Sequence, residues 1–340
     1  MVPFESDKFR PFMDSVVRPW IDKSVKAGRF AGYDGHMIQY YHAENPSPKG
    51  IVVMIHGFCG FFGKYHEVMY NFFEQGYTIF FMEHRGHGLS YRPVKDPSMV
   101  DIGNFDEYVE DLKCFMDKVV IPAAGSQAGP DRKAGKLPIF LYAHSMGGCI
   151  GTMFMEKYPD VFTAVILTSP MLKINFGTIP LWKMKLIALG TKLLGWNDKY
   201  VPGQGPFNGV SDMEGSGASC QARYDYSFEM RVDPINKDHY VSNGASCRWA
   251  RASLKATLGL DKKEPDLSMP ILICQAGKDT YVMNDAEDHL AQAAKNASLV
   301  RFPDAKHEIY NAEGDTLRKY YEAMFSFLDR CITSVNRVCD

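Results

Sequence analysis

Apolar and polar positions change period repeatedly along the chain, and each change predicts an element. HMIQYYH (36–42) and IVVMI (51–55) read as strands on either side of the turn-like ENPSPKG. The second is apolar throughout, as expected when helices cover both faces of a strand. A helix follows over YHEVMYNFFEQ (65–75), then the strand YTIFFM (77–82), then a helix over 105–120. In that helix Phe105, Tyr108, Val109, Leu112, Phe115, Met116 and Val119 recur at three- and four-residue spacing, an apolar stripe facing a sheet. The strand IFLYA (139–143), a helix over 147–158 and the strand TAVILTS (163–169) continue the pattern. It resumes at ILICQA (271–276), a helix over 285–295, SLVRF (298–302) and a closing helix over 314–332. Strands and helices taking turns require crossover connections, so the predicted fold class is α/β, a mostly parallel central sheet flanked by helices.

Residues 171–267 break this rhythm and contain the loop-rich GQGPFNGVSDMEGSGASC. So long a stretch without structure is improbable in a compact domain. The expectation is a core of 1–170 and 268–340 with an inserted, mainly helical cap over 171–267. Within IPLWKMKLIALGTKLLGW (179–196), Trp182, Leu186, Leu189, Leu193 and Trp196 share one helical face bordered by Lys185 and Lys192. The simplest reading packs this stripe onto the core; the others line an acyl tunnel with it or rest it on a membrane surface. Gly190 and Gly195 argue against one straight helix.

Composition narrows the field. Hydrophobic residues make up 46% and charged residues 23% of the 340 positions, which suits a globular protein with a large core. A formal charge of −2 provides no basic field for nucleic acid. The opening MVPFESDKFRPFMDSVV carries charges where a signal peptide needs an apolar run, and no window approaches ~18 consecutive apolar residues. A cytoplasmic protein without a membrane span is expected. Its eight cysteines (59, 114, 149, 220, 247, 274, 331 and 339) form no CxxC motif and read as buried reduced thiols.

Candidate chemistry gathers where parallel strands end. Ser145 follows IFLYA, Asp279 follows ILICQAGK and His307 follows SLVRFPDAK. A serine hydroxyl is a poor nucleophile alone; with an imidazole to take its proton and a carboxylate to orient that imidazole it becomes a good one. The order Ser, Asp, His is that of the α/β-hydrolase triad, whose marker is a G-x-S-x-G turn. Here the turn reads Ala143-His144-Ser145-Met146-Gly147, one methyl group away from the pattern. Asp304, three residues before His307, is a rival for the acid. Oxyanion donors are expected from the backbone N–H groups of Met146 and of Phe58 in His56-Gly57-Phe58-Cys59-Gly60. A phosphate-cradling reading of GFCGFFGKY fails on spacing and on the lack of Ser or Thr after Lys64. In EHRGHG (83–88), Glu83, His84 and His87 lack a further clustered ligand, and the glycines suit a tight turn better than a metal.

Taken together, HGFCG, EHRGHGLS, AHSMGG, GKDTYV and DAKHEI resemble the α/β-hydrolase superfamily, and within it the group of monoacylglycerol lipases and bacterial lysophospholipases. The cap segment RYDYSFEMRVDP is similar too, more loosely. The resemblance implies a cofactor-free serine esterase cleaving one acyl chain from a glycerol lipid, lysophospholipid ahead of monoacylglycerol. It carries the nucleophile to Ser145, the acid to Asp279, the base to His307 and the oxyanion donors to Phe58 and Met146. His56, Gly57, His144, Trp182 and Leu186 are the expected substrate contacts. The implied partner is a small lipid ester, with a peripheral contact at the inner face of a membrane. Oligomeric state is not readable.

Two other classes compete. An aminopeptidase would hold a substrate amine with cap acids, for which Asp212, Glu214, Asp225 and Glu229 are available. A catalytically inert binding module would have no need of Ser145, Asp279 and His307 at three strand ends.

Overall fold

The computed structural model describes residues 1–127, 137–260 and 267–338. Cys339, and the stretch 261–266 in which the expected cap nears its end, lie outside them. A helical segment runs through α1 (Ser6–Phe12) and α2 (Arg18–Ser24). It leads to β1 (Lys26–Ala31), β2 (Met37–Ala43) and β3 (Gly50–Ile55), then α3 (His66–Glu74), β4 (Tyr77–Met82) and a short β5 (Met99–Val100). Next come α4 (Asp106–Phe115), α5 (Ile121–Gln127), β6 (Ile139–His144), α6 (Met146–Lys157) and β7 (Ala164–Thr168). Then α7 (Leu181–Leu193), α8 (Gln221–Val232), β8 (Gly244–Ala245) and α9 (Cys247–Thr257) precede β9 (Ile271–Ala276), α10 (Asn284–Ala293), β10 (Ala297–Phe302) and α11 (Gly314–Val338).

Eight strands form one sheet in the order β1-β2-β4-β3-β6-β7-β9-β10. Pairing is antiparallel at β1/β2 and β2/β4 and parallel from β4 through β10. Every residue of β3 is buried. Ile51, Val53 and Ile55 face a core layer shared with α4, α6 and α10, while Val52 and Met54 face one shared with α3 and α11. The two-residue alternation of a strand thus divides one apolar run between two helical layers. Because these strands are parallel, the ends of β3, β6, β9 and β10 open on one edge.

The elements expected on either side of residues 171–267 are present within a residue or two, with two exceptions: the helix expected over 105–120 is continued by α5 to Gln127, and the closing helix runs to Val338. Within that stretch lie α7, α8 and α9. Beyond the expectation stand β1 and the helical segment that precedes it. That segment packs on α8: Val2, Phe9, Met13, Val17 and Tyr226 form one buried cluster. The Arg223 side chain, fully buried in α8, donates to both carboxylate oxygens of Glu67 at 2.8 and 2.9 Å and to the carbonyl of Pro3 at 2.8 Å. A second tie is the parallel pair β5/β8, joining Met99 to Gly244 and Val100 to Ala245.

The apolar stripe of α7 is a correction. Trp182 and Leu186 are each 59% exposed and Leu193 78%, so the stripe faces solvent rather than the core. Gly190 lies inside the helix without breaking it, and Gly195 (φ +69°) closes it, with the Trp196 N–H donating to the Thr191 carbonyl.

Candidate active site

Ser145 stands between β6 and α6 with φ +53° and ψ −116°, a conformation that costs an L-residue energy and lifts the side chain off the sheet. The turn survives because its neighbours are small. A methyl group on Gly147 would lie 2.6 Å from the Ile55 carbonyl oxygen, so only glycine lets α6 pass over the end of β3. Ala143 is accommodated because α6 presents Gly151 to it; even a methyl there would stand 3.5 Å from the Ala143 Cβ.

The three strand-end residues meet. His307 Nε2 lies 2.7 Å from Ser145 Oγ, and His307 Nδ1 lies 2.6 Å from Asp279 Oδ2. With the proton on Nδ1 and donated in a hydrogen bond to the carboxylate, Nε2 accepts from the Ser145 hydroxyl. Asp279 Oδ1 accepts the N–H groups of Tyr281 and Val282 at 2.8 and 3.1 Å, which fixes the carboxylate's rotation. Both side chains are buried, and the Tyr281 ring lies 5.0 Å from the imidazole. Asp304, the rival, is 78% exposed and paired with Lys278 at 3.0 Å.

Beside the serine runs the loop after β3. The Phe58 N–H has no acceptor among the described residues, and Met146 opens α6, where N–H groups lack intrahelical partners. The Phe58 ring leans on Trp249 at 4.5 Å. His87 and Glu83 shape this loop: His87 Nε2 accepts the Cys59 N–H at 3.2 Å, and the Glu83 carboxylate accepts the N–H groups of Phe62 and Leu89 at 3.1 and 2.8 Å. Burial pushes the Glu83 carboxyl up to about 6 and the His87 imidazole well below its usual value. His84 packs edge-on against Tyr108 at 5.4 Å. EHRGHG is therefore the support of the neighbouring loop.

A cavity of about 1200 Å³ opens over Ser145 and His307. Gly57 and His144 line it. His56 does not: its ring is fully buried, with Nδ1 2.7 Å from the Gly57 carbonyl and Nε2 accepting the His84 N–H at 3.0 Å. Trp182 and Leu186 do not either, because α7 turns the opposite face, Met184, Ile187, Ala188 and Thr191, to the cavity. The stripe and the cavity face are on different sides of one helix, and amphipathic spacing alone could not say which side looked inward.

Of the four acids named for holding an amine, only Asp212 reaches the cavity, where its Oδ1 accepts the Gly215 N–H at 2.9 Å. Asp225 accepts from Gln221, Glu229 pairs with Arg10 at 2.7 Å, and Glu214 is exposed. Several lining residues carried no motif: Lys64 paired with Glu308, Arg231 in the last turn of α8, and Trp249. Only long-range packing brings them to the site. No group of His, Cys, Asp and Glu among the described residues is arranged to hold a metal.

What such a site can do is general chemistry: a hydroxyl with a proton acceptor in reach, two backbone donors beside it and a cavity above suit acyl transfer. Known proteins narrow this. A probable lysophospholipase L2 of Haemophilus influenzae is 27% identical over 296 residues, 86% of this chain and 88% of that protein. A monoacylglycerol lipase of Mycolicibacterium smegmatis is 27% identical over 285 residues, 83% and 90% of the two chains. A soluble variant of the Saccharomyces cerevisiae monoglyceride lipase, solved in complex with a substrate analog, superposes with a TM-score of 0.69 at 18% identity over 90% of this chain and 94% of that one. That likeness shows a shared fold. The sequence profile described as Hydrolase_4, serine aminopeptidase S33, matches residues 46–314, from just before β3 to the first residue of α11, with Ser145, Asp279 and His307 inside. The chain has the α/β-hydrolase fold and belongs to the serine aminopeptidase S33 family.

Proposed function

We propose that this protein is a serine hydrolase cleaving the carboxylic ester of a single-chain glycerol lipid through an acyl-enzyme on Ser145. The observation that carries the reading is the unbroken relay from Ser145 Oγ through His307 to Asp279, at the floor of a large cavity. Ser145 Oγ attacks the ester carbonyl carbon as its proton passes to His307 Nε2. The Phe58 and Met146 N–H groups take the charge that develops on the carbonyl oxygen. Collapse breaks the bond to the glycerol oxygen, which leaves with the proton from His307. Water then gives a proton to His307, attacks the acyl carbon and frees the fatty acid, restoring the serine. Asp279 holds the imidazole in the tautomer that can accept, and stabilises it once charged.

The substrate class rests on relatives named lysophospholipase and monoacylglycerol lipase. The apolar cavity face of α7, with Met184, Ile187 and Ala188, suits an acyl chain. We read residues 171–267 as a cap over the strand ends. The exposed stripe of α7, with Lys183, Lys185 and Lys192, would rest this cap on a lipid surface, where apolar residues enter the interface and lysines meet headgroups. Among the described residues no helix is long and apolar enough to cross a membrane. Free thiols at seven described cysteines fit a reducing compartment such as the cytoplasm.

An amine-holding role has weaker support, since one acid of four reaches the cavity. The deciding measurement is turnover of lysophosphatidylcholine, monoacylglycerols and aminoacyl-arylamides by the wild type and by Ser145→Ala. Ester hydrolysis by the wild type alone is expected; retained turnover in the variant removes the nucleophile assignment.

A further inference from the structure

The two fully buried arginines among the described residues are met by carboxylates. Arg85 binds Asp111 and Asp34, and Arg223 binds Glu67. Arg231, partly buried in the wall of the cavity over Ser145, is different. Its Nε donates to the Tyr240 carbonyl at 3.1 Å, and its Nη2 donates to the Ser242 carbonyl at 3.0 Å and more distantly to Asn243 Oδ1 at 3.4 Å. Nη1 has no acceptor, and no carboxylate lies within ion-pair distance among the described residues. The guanidinium carbon sits 4.0 Å from the centre of the Phe207 ring, another lining residue.

Nearby charges do not make up the deficit. Arg92 is likewise held, among the described residues, only by neutral oxygens, the carbonyls of Gly86, Gly88, Pro97 and His239 and the Ser242 hydroxyl. Both guanidiniums thus converge on residues 239–242. The carboxylates of the cavity wall are occupied: Glu308 by Lys64 and by Asn311 at 2.7 Å, and Asp212 by the Gly215 N–H. Arg251, also on the wall, binds Thr191 and Asn197 and no carboxylate among the described residues. Burial lowers the pKa of Arg231 below the usual arginine value, the sign of a cation whose desolvation is not balanced by a partner. Position completes the picture. Met230 abuts Gly63, where an added methyl would meet its sulfur at 2.3 Å, so Arg231 lies beside the loop that carries Phe58.

We propose that Arg231 is the specificity residue of this site, and that its free guanidinium edge binds a phosphate on the glycerol of the substrate, selecting phosphate-bearing single-chain lipids over neutral ones. The inference rests on the ester-hydrolase reading above. A guanidinium has the planar donor fork that phosphate oxygens accept, and a site short of negative charge gains from a ligand that brings it. A neutral glycerol headgroup leaves the deficit in place.

The test compares a monoacylglycerol with the glycerol 3-phosphate lipid of the same acyl chain, both below their micelle concentrations. Wild-type kcat/KM should be at least tenfold higher for the phosphate lipid. Arg231→Gln should cut that ratio tenfold or more, mainly by raising KM, and Arg231→Lys should restore part of it. Equal losses on both lipids, or no wild-type preference, overturn the proposal and leave Arg231 as a brace for residues 240–243. A second readout is independent of hydrolysis: glycerol 3-phosphate should raise the melting temperature of Ser145→Ala but not of Ser145→Ala/Arg231→Gln. If the wild type cleaves neither lipid nor p-nitrophenyl butyrate, the ester-hydrolase reading fails; if that melting shift is also absent, phosphate binding fails separately.

Discussion

Gly57 and Ser145 are in direct contact: a methyl group on Gly57 would stand 2.8 Å from the Cβ of Ser145. The loop that offers the Phe58 N–H therefore lies against the serine with no space for a side chain between them. Gly57→Ala must push the two apart. An oxyanion donor displaced by even a fraction of an ångström loses most of its value, and removing one such donor costs about 10²–10³ in kcat. The expected result is a loss of that order in kcat with KM changed far less, measured on a soluble p-nitrophenyl ester. A variant with normal kcat would remove Phe58 from the oxyanion site.

Asp279 holds His307 through one oxygen and is itself held through the other. Asp279→Asn keeps the shape but presents a donor or a weaker acceptor to Nδ1, so the imidazole loses the tautomer it needs. A fall of about 10⁴ in kcat is expected. Asp304→Asn, at the exposed pair with Lys278, should leave kcat within about twofold, since surface pairs contribute little. Reversal of these two results would transfer the acid role to Asp304.

Glu287 in α10 is fully buried, and among the described residues its carboxyl oxygens make no hydrogen bond of good geometry, Gln275 being the nearest donor. Burial, and then the nearby charges of Asp279 and Asp288, push its pKa up to about 9. Folding therefore favours the protonated form. Its stability contribution is complete below the unfolded value near 4.5 and is lost as pH rises toward about 9. Glu287→Gln should remove that dependence. The variant's melting temperature should exceed the wild type's increasingly from pH 5 to pH 9; a constant difference would show that Glu287 is ionised throughout.

The outer face of α7 offers a separate test. Leu186→Asp/Leu193→Asp should reduce sedimentation with anionic liposomes at least fivefold while leaving the melting temperature within a few degrees, because both side chains are mostly exposed. Equal sedimentation of variant and wild type would detach the helix from any membrane role.

Much of this was legible in the chain because it depends on local period or on strand ends. The apolar run 51–55 could only be a strand covered on both faces, and Ser145, Asp279 and His307 follow strands that a parallel sheet must open on one edge. The rest depends on contacts between distant segments. Nothing near Arg231 says that its counter-charge is absent, because that fact requires knowing what residues 240–243, Phe207 and Glu308 do around it. The segment before β1 has no strand–helix rhythm, and its role is visible only where Val2 and Phe9 meet Tyr226. The stripe on α7 was readable as amphipathic, but its direction was not: lysines bordered the stripe, while the cavity-facing Met184 and Ala188 lay outside it.

The buried bond between Arg223 and Glu67 fixes one of the helices that line the cavity, α8, and has no counterpart on another, α7. Loss of either partner would strand a charge in the interior, a penalty of about 3–5 kcal/mol, so α8 is fastened to the floor on which it stands. Among the described residues no ion pair fastens α7, whose one buried residue is Thr191. On the proposed lipid-ester function, acyl chains would pass under α7, and a covalent staple from α7 to α9 should slow entry and exit where the same staple on α8 changes little.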